Sequence, residues 1–107
     1  MDWDEVLWHT ERRLGMYVGL PRYDRAYSLL TGFDLAHGLG DLGRFQAWMA
    51  ERHGGSPVAW PWLILRETFD DGDGERSPVT DEAHQIAIKN LCLRLREFLD
   101  LPADDSR

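Results

Sequence analysis

Between Tyr23 and Leu39, Tyr23, Tyr27, Leu30, Asp34 and His37 recur at spacings of four and three, and beside them Ala26, Leu29, Phe33 and Ala36 form a second, apolar row. Both rows keep helical spacing, and only Asp24, Ser28 and Thr31 mark a clearly wet side. The pattern predicts a helix over 23–39 with an apolar arc wide enough to make it the central member of a small bundle. Ahead of it, Asp2 and Glu5 have the form of a capping box for a first helix that turns Trp3, Leu7, Thr10 and Leu14 inward and ends at Gly15. Trp8 lies about 100° around that helix from Leu7, toward the surface or the next helix.

Gly38, Gly40 and Gly43 crowd the exit of the 23–39 segment, and Asp41 is suited to cap a third helix. That helix points Leu42, Phe45 and Met49 inward, with Trp48 adjoining, and Arg44, Gln46, Glu51 and Arg52 outward. His53, Gly54 and Gly55 close it. Ser56 and Pro57 read as cap and first-turn proline of a fourth helix with Val58, Trp62, Leu65 and Phe69 on one face, although Pro61 would kink its opening turn. A strand over 58–65 is the competing reading, against which Pro61 also argues. After an Asp- and Gly-rich loop over 70–78, a last helix starts near Thr80. It carries His84, Ile88, Leu91, Leu95 and Phe98 inward and Gln85, Lys89 and Arg96 toward water, and Leu101 and Pro102 stop it. Residues 103–107 are expected to form a mobile polar tail. The expected fold is all-α: a single domain over 1–107, built as a compact bundle of four to five helices around a central buried helix.

Composition supports one globular domain. Of 107 residues, 43% are hydrophobic and 29% charged, and a chain of this size buries roughly 65% of its unfolded surface without needing disulfides or a metal. The single cysteine, Cys92, sits in an apolar helical pattern and reads as a core residue. The longest nearly unbroken apolar run, 57–65, is too short to span a bilayer, and Asp2, Asp4 and Glu5 open the chain where a signal segment would be basic; the expected location is the cytoplasm, away from the membrane. Twelve Lys and Arg against 19 Asp and Glu give a formal net charge of −7. That field repels phosphate backbones, so no nucleic acid is expected as a partner; a basic protein would be attracted.

Candidate chemistry is sparse. Counting Asp71 as position one, Asp73, Glu75 and Glu82 fall at the third, fifth and twelfth positions of a calcium-binding loop, but Arg76 stands at the sixth, where glycine is needed, and Pro78 at the eighth. The expected reading is a solvated or partner-facing acidic turn. His9, His37, His53 and His84 show no metal-ligand spacing, so neither a metal nor a cofactor is expected. Asp34 and His37, three residues apart, could orient an imidazole as a base, yet such a pair is more often a surface or capping contact, and no catalytic residue is assigned.

One resemblance runs along most of the chain. Arg13-Leu14-Gly15-Met16-Tyr17-Val18-Gly19, Leu30-Thr31-Gly32-Phe33 with Ala36, Phe45-Gln46-Ala47-Trp48-Met49, Arg52-His53-Gly54, and Ser56 and Trp60 before Leu63-Ile64 together resemble a family of small bacterial proteins akin to the immunity proteins of polymorphic toxin systems. Leu14 stands where that family has proline, and Pro61 and the Asp-Gly loop are further departures. The motifs consist of core aromatics and turn glycines. Gly15 and Gly19 would hold Tyr17 in a tight loop, and Gly32 suggests a close neighbour at mid-helix. The resemblance implies a protein that binds and neutralises a cognate toxin. The expected contact residues are Asp70, Asp71, Asp73 and Glu75, with the aromatic edges of Trp8 and Trp60. A small-pocket enzyme and an adaptor that self-associates through Trp8 or Trp60 remain open, and the oligomeric state is not fixed.

Overall fold

A computed structural model describes residues 2–15, 19–20, 22–38, 40–69, 78 and 80–101. They form five α-helices: α1 Trp3–Arg12, α2 Tyr23–His37, α3 Asp41–Arg52, α4 Trp60–Thr68 and α5 Asp81–Phe98. The all-α bundle is as the sequence pattern leads one to expect. Tyr17 and residues 70–77 and 103–107 lie outside the described residues.

The helix at the centre is the last one, not the 23–39 segment. α5 packs against each of the other four helices. His84, Ala87, Ile88, Leu91, Cys92, Leu95 and Arg96 are buried along it. Its two flanks face different neighbours: Cys92 and Arg96 reach α1, while Asn90 and Arg94 reach α4. His84 touches α2 near one end, and the Phe98 ring meets Phe45 and Trp48 of α3 near the other. By contrast, α2 buries a single narrow stripe of Tyr23, Ala26, Leu30 and Asp34, and Leu35, Ala36 and His37 are exposed. Its second apolar row is therefore only half covered, as on an ordinary peripheral helix. Gly32 is exposed too, and a Cβ built there would meet nothing within 4 Å, so the close neighbour expected at mid-helix does not exist.

Helix ends explain most of the remaining differences. Asp2 accepts from the Glu5 N–H at 2.9 Å, and Thr80 accepts from the Ala83 N–H at 3.0 Å, so α1 and α5 start as the sequence indicates. α1 stops at Arg12, before Gly15, with the Arg13 N–H bonded to the His9 carbonyl. α3 starts differently. Gly40 occupies its N-cap position at φ +70, and the free N–H groups of Asp41 and Leu42 are taken by the carboxylate of Asp34, at 3.0 and 3.4 Å, from the preceding helix. The Asp41 side chain instead accepts from the Trp3 indole at 2.7 Å and from Arg44.

α4 begins at Trp60 rather than Ser56 and the alternative strand is not formed; of the expected face, Leu65 is buried and Val58 and Phe69 pack against the core, while Trp62 is turned outward. With the later start, Pro61 lies in the first turn, where its missing N–H has no intrahelical partner to lose. The inward face is then Trp60, Leu63, Ile64 and Leu65, and Trp62 is 41% exposed. Gln46, expected to point outward, fixes this start: its amide donates to the Val58 carbonyl at 3.0 Å and accepts from the Trp60 N–H at 2.6 Å.

Candidate protein-binding face

The residues expected to carry function separate into three groups. Asp70, Asp71, Asp73 and Glu75 lie outside the described residues, and so does most of the calcium-loop spacing; Glu82 is exposed on α5. Trp60 is only 8% exposed, its ring edge-on to Tyr27 and Phe45 inside the core. It therefore offers no free edge to a partner. Trp8 alone of the six sits on a described surface, half-buried on α1.

Asp34 and His37 do not meet as a catalytic pair. Asp34 is committed to the α3 backbone, and His37 Nδ1 lies 2.9 Å from the Phe33 carbonyl on its own helix. Cys92 is buried, with its thiol toward the Leu7 carbonyl. No metal-binding group of three His, Cys, Asp or Glu occurs among the described residues. His84 is buried, and its Nδ1 accepts from the Tyr23 N–H at 2.9 Å, which requires a neutral ring with the proton on Nε2. Burial, with the positive charge of Arg22, pushes its pKa down, while Asp24 and Asp81 pull it partly back. The histidine expected in the core is there, and its role is to cap α2.

A polar cluster joins α3, α4 and α5 around Glu67. Its carboxylate is held by Arg94 Nε at 2.8 Å and His53 Nε2 at 3.0 Å, with Arg52 at 3.7 Å. Burial raises the Glu67 pKa, but hydrogen bonds from Arg94 and His53 and the charges of Arg94 and Arg52 outweigh it and hold it below the usual carboxylate range. Arg94 is held correspondingly high. The carboxylate is saturated by donors, which makes it a fastener between three helices rather than a free acid or base.

Trp8, like His84 at Nε2, has a buried polar atom that is not used. The indole Nε1 is buried and has no hydrogen-bond acceptor, a costly state for a buried donor. The guanidinium groups of Arg12 and Arg13 lie 5.5 and 5.3 Å from the ring centroid, where cation–π attraction holds the ring in place. One turn on, a groove of about 460 Å³ runs between α1 and α5, lined by Glu11, Arg12, Gln85, Ile86, Ile88 and Lys89. Ile86 is 48% exposed at its rim, and Leu93, two turns further along α5, is 44% exposed.

The sequence pattern turns Trp8 toward the surface or the next helix, without placing it beside this groove, and Ile86 and Leu93 were not singled out. The signal was present: two apolar residues seven apart stand on the face of α5 opposite Ile88, Leu91 and Leu95. Among the described residues no helix is long and apolar enough to cross a membrane. No family model, curated protein or solved structure matches the chain.

Proposed function

We propose that this protein is an immunity-type inhibitor that binds and neutralises a cognate bacterial toxin by covering it, without turning over a substrate. The observation that carries this reading is Trp8: a large, half-buried aromatic on the surface of α1, held by the guanidinium groups of Arg12 and Arg13. Tryptophan and arginine dominate the energetics of protein interfaces, and a half-buried ring already held in place by two guanidinium groups loses little side-chain freedom when a partner covers it. The net charge of −7 favours a basic toxin and speeds its approach, with Asp70, Asp71, Asp73 and Glu75 adding four closely spaced acids in sequence. The family resemblance points the same way.

The test is to co-express the chain with the product of the gene next to its own and follow growth, then titrate the purified pair. Stoichiometric inhibition that weakens with added salt is expected, and Trp8→Ala should loosen the complex roughly tenfold or more. A neighbouring product that is not inhibited, or a turnover number for this chain on any substrate released by that product, would remove the reading.

A further inference from the structure

α5 is the central helix, yet one stripe of it faces solvent along its whole length. Glu82, Ile86, Lys89, Leu93 and Glu97 are all exposed. At 100° per residue they fall within roughly 80° of arc, opposite the buried His84, Ile88, Leu91 and Leu95, and span about 22 Å along the axis. The spacing of four, three, four and four is that of a helix–helix seam. Glu97 is steadied by Arg94 at 2.6 Å while keeping 41% of its side chain exposed. On one side the stripe borders the α1–α5 groove, which shares Ile86 and Lys89 with it and is lined on α1 by Glu11 and by Arg12, whose guanidinium lies 5.5 Å from the Trp8 ring centroid.

The charges decide what can lie on this stripe. Read along the helix they run acid, apolar, base, apolar, acid, and the order is the same from either end. A second copy of α5 laid in register would therefore set Lys89 against Lys89 and glutamate against glutamate, whether the two helices ran parallel or antiparallel. Like charges at facing positions are a recognised device against pairing. The complementary surface is a helix whose charges run base, apolar, acid, apolar, base.

We infer that the Glu82–Ile86–Lys89–Leu93–Glu97 stripe, with the adjoining groove, is the docking site for one amphipathic helix of the partner protein. That helix carries a central acid for Lys89, basic residues at both ends for Glu82 and Glu97, and two apolar side chains for Ile86 and Leu93. Helix-in-groove recognition of this kind uses anchors three, four and seven residues apart, and the groove beside Ile86 receives one of them. Here the inference rests on the proposed binding role and names the surface and the partner element.

Two stapled helical peptides of equal length test it, one with Lys–Leu–Glu–Leu–Lys at the spacing of the stripe and the other with Glu–Leu–Lys–Leu–Glu. Calorimetry and amide shifts are read on the full chain. The first peptide should bind, with shifts confined to the 82–97 stripe and the Trp8 indole, and the second should bind roughly tenfold or more weakly. The exposed triple variant E82K/K89E/E97K should reverse that preference; Ile86→Ser with Leu93→Ser, which leaves the charges intact, should abolish binding of both. Equal affinity for the two peptides, shifts elsewhere on the surface, an unchanged preference in a folded triple variant, or a dimer in sedimentation that the serine pair dissolves would overturn the inference. Its failure is separable from that of the binding role. A toxin neutralised equally well by wild type and the serine variant refutes the stripe alone, whereas a toxin that wild type ignores refutes the role and leaves the peptide result standing.

Discussion

At the scale of single residues, this protein repeatedly uses side chains from one helix to finish the end of another. Asp34 of α2 caps α3, and His84 of α5 caps α2 through the Tyr23 N–H. The histidine cap works only while Nδ1 carries a lone pair, so protonation converts an acceptor into a donor facing a donor. The His84 pKa in the folded protein lies below its ordinary 6.5. Between the unfolded value and that lower folded value the unfolded chain binds the extra proton. Stability from this group is thus fully present above pH 6.5 and declines as pH falls toward the folded pKa. Urea midpoints recorded from about pH 7.5 to about pH 5.5 should fall in wild type. In His84→Gln they should be lower at the alkaline end, corresponding to roughly 1 kcal/mol of stability lost with the weakened cap, and flatter across the window. Parallel curves for the two proteins would assign the acid sensitivity to another group.

At the scale of elements, sequence periodicity locates helices well and their ends less well. α1, α3 and α5 were legible because each has a capping residue or a long apolar stripe that propensity and burial both favour, as Asp2, Phe45 with Met49, and Thr80 with Leu91 illustrate. The start of α4 was not, because its determinant is remote: Gln46, fourteen residues earlier than Trp60, fixes the backbone through its side chain, whereas Ser56 and Pro57 form a local signal of the same type. The central helix was misplaced for a related reason. Periodicity measures how much of a helix could be buried, and only the number of helices around it decides how much is buried; α2 has apolar surface to spare at Leu35 and Ala36. For the candidate site, Trp8 was legible as an aromatic off the main stripe, but its unused N–H and the groove beside it need three dimensions. If Gln46 sets the register of α4, Gln46→Leu should keep the side-chain volume, leave the Trp60 N–H without its acceptor and cost about 1–2 kcal/mol, with faster amide exchange over 60–63 than over 64–68. Uniform exchange along α4 would show that Pro61 and the core suffice to place its start.

At the scale of the whole molecule, the two ends of the described chain are joined through a buried charge. Arg96 of α5, expected to face water, is instead buried, with its Nη1 2.6 Å from Asp4 and its Nε 3.9 Å from Glu11, both on α1. The guanidinium side chain is 3% exposed, while Asp4 and Glu11 keep 22% and 15% exposure. This inequality makes the two halves of the pair respond differently to substitution. Removing a carboxylate leaves a desolvated cation with less compensation; removing the cation leaves two carboxylates that water can reach. Asp4→Ala should therefore cost about 2–3 kcal/mol, below the 3–5 kcal/mol typical of fully buried pairs because Glu11 remains. Arg96→Met, which preserves the apolar stem against α1, should cost about 1 kcal/mol, and the double variant Asp4→Leu with Arg96→Met should lie near wild type. Denaturant unfolding with unchanged slopes measures all three, and a larger loss for Arg96→Met than for Asp4→Ala would contradict the desolvation argument. The same comparison bears on the proposed docking face. α1 and α5 are the two walls of the groove, so a double variant that keeps stability but no longer binds the Lys–Leu–Glu–Leu–Lys peptide would show that this ion pair holds the walls at the spacing the proposed partner helix requires.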